Sequence, residues 1–185
     1  MELSAKQKKY LLELARSTIA QVVKTETKLP DEEIGNTLDV PGGAFVTLHK
    51  KGHLRGCIGN FIGNSLKTTV RDMASAAAFH DPRFPSLQPE ELEQIDLEIS
   101  VLSSLVKTKA EDIKVGKHGL YLVSPRGRGV LLPQVATEQG WDWLTFLQQT
   151  CRKAGLPSDA WQNPETQIYT FTAQIFDEKE VGKRI

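Results

Sequence analysis

The sequence predicts an α+β fold, with a mainly antiparallel sheet and flanking helices, and three observations support this prediction. Residues 95–102 alternate apolar and polar side chains, which is typical of a half-buried antiparallel strand. Residues 44–49 and 120–123 each begin a hairpin pattern, with a turn that contains glycine. Helical periodicity follows each hairpin. The order hairpin, helix, strand therefore occurs twice, which indicates two closely associated lobes and an internal ββα-β duplication.

Length and composition are those of a globular protein of 185 residues, with 39% hydrophobic and 25% charged residues. One domain built of two lobes fits this length. The sequence divides into halves at roughly residues 1–105 and 106–185, and the lobes may interleave between these halves. The 23 basic and 23 acidic residues cancel, so nucleic-acid binding is an outside alternative. The sequence shows no signal peptide, membrane-spanning segment or disulfide framework, and we expect a cytoplasmic protein.

The first half is predicted to contain two main helices and three strands. The first helix begins at a capping box of Ser4 and Gln7, and we expect it to end before Leu29 and Pro30, because proline disfavours a helical residue ahead of it. Ser65 is the expected N-cap of the second helix. The predicted elements that follow the first helix are a strand at 44–49, a basic turn at 50–53, a strand at 54–59, a helix at 66–79, a helical turn at 90–94 and a strand at 95–102.

The second half repeats this order of elements. Strands at 120–123 and 130–133 are expected to flank a turn at 124–129. A helix is predicted from about 141 to 154, with Gly155 at its C-terminal end, and a single strand over 167–176. The charged tail, residues 177–185, is expected to fray.

The second strand, residues 54–59, has the sequence Leu-Arg-Gly-Cys-Ile-Gly and is the first candidate site. Glycines in a strand usually indicate a bulge or a close approach of backbone or ligand. Arg55 and Cys57 are expected on one face, so the guanidinium favours the thiolate and Cys57 is a candidate nucleophile or redox thiol. The alternative is that Cys57 is a small buried side chain. Backbone N–H groups at Gly56 and Gly59 could bind an anion beside Arg55, or the glycines could simply allow close packing.

The second candidate site follows the 66–79 helix. His80 lies where the helix dipole favours a cation, Asp81 could orient its imidazole, and Arg83 could bind a carboxylate or phosphate with two hydrogen bonds. The alternative is a helix-stop turn, with Asp81 bonded to local backbone and Arg83 paired with a surface acid. The spacing of histidines and cysteines suggests neither a metal site nor a cofactor site.

Several segments in the same order resemble conserved blocks of the AMMECR family, whose prokaryotic members are called AmmeMemoRadiSam system protein A. The segments are 54–59, 76–85, 97–102, 116–120, 131–136 and 151–156. The resemblance implies an α+β fold with a large lobe, a small lobe and a groove near residues 54–59. It also implies Memo-like and radical-SAM proteins as possible partners. The motif residues that it carries over are Arg55, Gly56, Cys57, Gly59, Asp81, Arg83, Pro133 and Gln134.

Three functions remain open from the sequence. The first is an enzyme or enzyme component that handles an anionic small molecule or a protein tail, with Cys57, His80 and Asp81 as catalytic candidates. The second is a non-catalytic adaptor that binds a Memo-like or radical-SAM partner through the groove. The third is RNA or DNA binding through the basic loops 50–51, 114–117 and 126–128.

Overall fold

The computed structural model describes residues 2–23, 32–61 and 65–181. The helices are α1 (Ala5–Val22), α2 (Glu32–Asn36), α3 (Leu66–Phe79), α4 (Pro133–Glu138) and α5 (Trp143–Lys153), with 3-10 turns at Pro89–Gln94, Ala110–Asp112 and Ala160–Gln162. The strands are β1 (Ala44–Lys50), β2 (His53–Asn60), β3 (Ile95–Leu102), β4 (Val106–Lys107), β5 (Gly119–Ser124), β6 (Gly127–Leu131), β7 (Gln167–Phe171) and β8 (Ala173–Asp177).

The chain divides into two compact units, each with its own sheet and hydrophobic core. The first unit contains Met1–Leu102 and Gln174–Ile185, and the second contains Ser103–Ala173. No helix in the described part of the chain is long and apolar enough to cross a membrane. The α+β prediction is confirmed by helices and two four-stranded, antiparallel sheets.

The sheet of the first unit has the strand order β2-β1-β3-β8, so β2 is an edge strand. The predicted capping box of Ser4 and Gln7 begins α1, and Ser65 accepts a hydrogen bond from Thr68 N–H at the start of α3. Both helices contribute apolar side chains to the core beneath β1 and β3. Helix α1 ends at Val22, which agrees with the expected end before Leu29 and Pro30.

A bulge interrupts the pairing of β1 with β2. Leu48 pairs with Gly56 and His49 pairs with Leu54, so Arg55 is the additional residue on β2. A Cβ atom at Gly56 would lie 2.1 Å from the carbonyl oxygen of Ala77 in α3. Close packing of the helix backbone on the strand therefore requires the glycine. The sequence predicts either a bulge or a close approach of backbone or ligand at these glycines.

The sheet of the second unit has the strand order β4-β7-β5-β6. Both sheets share an order of three strands. The second hairpin strand (β2 or β6) is at the edge, the first hairpin strand (β1 or β5) lies beside it, and the strand after the helix (β3 or β7) comes third. A Cβ atom at Gly127 of β6 would lie 2.2 Å from the carbonyl oxygen of Ala154, the residue after α5. Gly56 of β2 is similarly close to a carbonyl oxygen of α3. The predicted repetition of hairpin, helix and strand is thus confirmed in topology and in this packing detail.

The C-terminal part of the chain differs from the sequence prediction. The single strand expected over 167–176 is two strands in different sheets, separated by Thr172, whose backbone N–H and C=O both bond to Ser103. The expected fraying of the tail is wrong at Glu178, which is buried, pairs with Arg16 and accepts a hydrogen bond from Leu97 N–H. The last four residues lie outside the described part.

Two further corrections concern the second hairpin. The turn is shorter than the predicted 124–129, because β6 already begins at Gly127. Residues 133–138 form α4, which the periodicity did not predict. The strand expected at 130–133 therefore ends at Leu131, and Pro133 is already the first residue of α4.

Candidate functional site

Three of the predicted site residues meet at the outer side of β2. Helix α3 ends at Phe79, and the turn after it places the carboxylate of Asp81 beside the edge strand. The backbone N–H of Cys57 donates to Asp81 Oδ2 at 2.9 Å, and Arg83 Nη2 donates to the backbone C=O of Cys57 at 3.2 Å. Asp81 and Arg83 therefore bind both backbone groups of one strand residue, as a neighbouring strand would.

Asp81 and Arg83 also bind each other with two hydrogen bonds. Arg83 Nε donates to Oδ1 at 2.9 Å and Nη2 donates to Oδ2 at 2.7 Å. The guanidinium of Arg83, followed by the Cys57 and Arg83 backbone N–H groups, holds the pKa of Asp81 well below its usual range despite burial of the carboxylate. Arg83 is thus paired with an acid of this chain, which agrees with the helix-stop alternative, although that acid is the buried Asp81 and not a surface one. The carboxylate of Asp81 bonds Arg83 and the Cys57 N–H, and the imidazole of His80 is exposed.

Arg55 is neutralised by an acid that the sequence did not indicate. Its Nε and Nη2 atoms donate to Glu91 Oε1 and Oε2 at 3.1 and 2.9 Å, and Lys50 Nζ donates to Oε1 at 2.8 Å. The pKa of Glu91 is lowered to about 2 by its hydrogen bonds. The bond from Arg55 has the largest effect, followed by those from Lys50 and the Gln88 N–H. The one available signal for Glu91 was its capping-box spacing from Gln88.

Cys57 is half-buried and pairs across the strands with Thr47, which in turn pairs with Glu98 on β3. The Thr47 hydroxyl donates to Cys57 Sγ at 3.3 Å. Burial raises the pKa of the Cys57 thiol and outweighs Thr47 and Arg83, which lower it, while Asp81 and Glu98 raise it further. The expectation that Arg55 lowers this pKa is wrong, because Arg55 is bound to Glu91, and the thiol is protonated at neutral pH.

The anion site expected at the N–H groups of Gly56 and Gly59 stays a prediction, and the surroundings of these glycines favour the packing alternative. The Cys57 N–H between them already binds Asp81, and a Cβ atom at Gly59 would lie 2.1 Å from the Phe45 ring. The glycines therefore serve packing. Among the described residues, no three His, Cys, Asp or Glu side chains are grouped as metal ligands.

Pro133 and Gln134 lie in the second unit, at the first turn of α4. Pro133 is buried at the first helical position, where its missing N–H is not needed. Gln134 Oε1 is buried without a hydrogen-bond partner among the described residues. The role of these two residues in a common site with β2 stays a prediction, as does the groove that the resemblance implied.

Comparisons with known proteins support the resemblance found in the sequence. A family model described as AMMECR1 matches residues 12–176. A protein of Methanothermobacter thermautotrophicus is 43% identical over 95% of this chain and 96% of its own length, and one of Thermococcus kodakarensis is 42% identical over 92% and 89%. The crystal structure of an uncharacterized protein from Pyrococcus horikoshii has a TM-score of 0.88 and 36% identity, covering 97% of this chain and 95% of that one. The chain belongs to the AMMECR1 family.

Proposed function

We propose that this protein is a non-catalytic interaction protein, in which β2 and residues 80–91 form a preorganised surface for a protein partner. The observation that carries the proposal is the mutual engagement of the site's charged groups. Asp81 binds Arg83 and the Cys57 backbone, and Glu91 binds Arg55 and Lys50. Groups held in this way stiffen a surface before it binds, which reduces the entropy lost on association.

The exposed part of this surface suggests what it binds. Lys50, Arg55 and Arg83 carry three positive charges that balance Asp81, Glu90 and Glu91, and the Arg83 side chain is 49% exposed. The half-exposed guanidinium of Arg83 can bind a further carboxylate, from an acidic segment or a carboxylate-ended protein tail. The family resemblance suggests that the tail belongs to a Memo-like or radical-SAM protein.

An enzyme or enzyme component is the second candidate. It is favoured by the row Cys57, Thr47 and Glu98 across three strands, which gives the thiol a hydroxyl donor and a nearby carboxylate. The raised pKa of Cys57 weighs against a nucleophilic role, because only the thiolate attacks. We therefore place binding ahead of catalysis.

Purified Memo-like and radical-SAM proteins from one source organism should be titrated against the full chain and its variants. Arg83→Gln should weaken binding of at least one partner about tenfold or more, which is the usual effect of truncating an interfacial charge pair. Arg71→Gln is the matched control, since Arg71 also pairs with an adjacent acid, Asp72, on an exposed face of α3. Cys57→Ser should bind as the wild type does.

Two results would count against the proposal. Absence of saturable binding to either partner at 100-fold excess over the protein would remove the adaptor role. Normal binding by Cys57→Ser together with loss of function in cells would favour the enzyme. Urea denaturation of Arg83→Gln, compared with Arg71→Gln, separates a lost contact from a lost fold.

A further inference from the structure

Two tyrosines face each other on the central strands of the second sheet. Tyr121 of β5 pairs in register with Tyr169 of β7, and their ring centroids are 6.4 Å apart. Their sequence neighbours Leu120, Leu122 and Ile168 are buried in the core, so alternation places the two rings on the other face of the sheet. That side of a four-stranded sheet can stack the bases of nucleotides on its aromatic rings.

The next row of side chains on this face has a basic and a polar side chain on either side of an apolar one. Val123, two residues after Tyr121, pairs with Arg128 on one side and Gln167 on the other. Two residues along a strand span roughly 6–7 Å, so this row lies immediately beside the tyrosines. The base of a nucleotide and its phosphate can occupy neighbouring rows.

An open depression of about 590 Å³ continues from this row over the β5–β6 turn. The side chains that matter for a ligand are Arg126, Arg128, Glu165, Gln167 and Ser124. Its volume falls within the range of small-molecule sites, which is roughly 300–1,000 Å³. All of these residues belong to the second unit.

The two arginines are available for an anion. Arg126 and Arg128 are exposed, and neither forms an ion pair with another side chain of the described residues. In this they differ from Arg55 and Arg83, which are bound to Glu91 and Asp81. The guanidinium fork matches phosphate oxygens, and with Glu165 as the opposing acid the depression keeps one excess positive charge.

We infer that the outer face of the second sheet binds a phosphorylated nucleotide, with its base stacked on Tyr169 and its phosphate held by Arg126 and Arg128. The ligand can be a free nucleoside monophosphate or the 5′-phosphorylated end of a single strand, since both present an aromatic base and a phosphate. This site uses none of the residues of the protein-binding surface on β2. It is an additional binding function of the same chain.

The full-length protein should be titrated with AMP, UMP, inorganic phosphate and a 5′-phosphorylated six-nucleotide oligouridylate, followed by NMR shifts and calorimetry. We expect saturable binding of a monophosphate, the oligonucleotide or both. Arg126→Gln and Arg128→Gln should weaken it about tenfold each, and Tyr169→Leu about fivefold or more, as base–aromatic stacking predicts. Arg152→Gln, an exposed arginine in the last turn of α5, should change nothing.

Tighter binding of the oligonucleotide than of UMP would identify a single strand as the ligand, and equal affinity would identify the free nucleotide. Absence of saturable binding of any nucleotide at 5 mM overturns the inference, as does binding that survives both arginine substitutions. Inorganic phosphate that binds as tightly as AMP also overturns it, because the tyrosines then contribute nothing. Thermal unfolding of each variant within a few degrees of the wild type establishes that the fold is retained, and Arg128→Gln provides the decisive comparison if Tyr169→Leu unfolds.

Discussion

Replacing Glu91 with glutamine removes the charge that both Arg55 and Lys50 bind. The pKa of Glu91 falls from 4.5 to about 2 in the folded protein, and a pKa shift of one unit corresponds to about 1.36 kcal/mol. The ionised carboxylate therefore stabilises the fold by at most about 3.4 kcal/mol at neutral pH. Because the Lys50 side chain is 30% exposed and the Glu91 side chain 15%, we expect a loss of about 2–3 kcal/mol for Glu91→Gln.

The loss should depend on pH in a defined direction. A carboxylate whose pKa is lower in the folded state stabilises the protein above its unfolded pKa, and this stabilisation disappears as the pH falls through the folded pKa. For Glu91 the full effect is present above about pH 5.5, falls to about 1 kcal/mol at pH 3 and is largely lost below about pH 2. The deficit of Glu91→Gln should shrink accordingly.

Urea denaturation at pH 7 and pH 3, followed by circular dichroism, measures this effect. Glu90→Gln is the matched control. It removes the same charge from the exposed neighbour of Glu91 in the same 3-10 turn. The deficit of Glu91→Gln relative to Glu90→Gln should fall by about 1–2 kcal/mol between the two pH values. A deficit below about 0.5 kcal/mol at pH 7, or one of equal size at both pH values, would refute the reasoning.

Three other predictions concern the same unit. Arg83→Gln leaves the buried carboxylate of Asp81 without its cation and should lower the free energy of unfolding by about 1–3 kcal/mol. The exposed Arg71→Gln should lower it by less than about 0.5 kcal/mol, and both are measured by urea denaturation. Gly56→Ala should cost about 1–3 kcal/mol or more in the same assay, because its Cβ would collide with a helix carbonyl. Cys57 should react with iodoacetamide more slowly than an unperturbed thiol at pH 7, and faster as the pH rises; rapid alkylation at pH 7 would contradict its raised pKa.

Local signals in the sequence predicted most of the elements correctly. The N-cap Ser65 and the apolar stripe predicted α3, and strict alternation predicted β3, because each signal acts over a few residues. The division of 167–176 into two strands depends on hydrogen bonds to Ser103, far away in the chain, and periodicity contains no information on such a partner. The same holds for α4, which is too short for a helical period to be seen.

The candidate site shows the same division between local and distant information. Arg55, Cys57, Asp81 and Arg83 were recognised from the sequence, and the structure brings the last three together at β2. Glu91 was missed, although it neutralises Arg55. An ion pair between residues 36 apart leaves no pattern in a single sequence, so the cation expected beside the thiol was assigned to the wrong partner.

By itself, the sequence determined that this is an α+β protein of the AMMECR1 family, with a repeated order of elements and a signature strand that contains a cysteine between two glycines. Only the tertiary structure decided the chemical state of that cysteine. A thiol's pKa depends on burial and on the charges that reach it in space, and here burial outweighs the available cation. Only the tertiary structure, likewise, placed the tyrosines of two strands beside Arg128 of a third, because strand register is set by packing across the sheet.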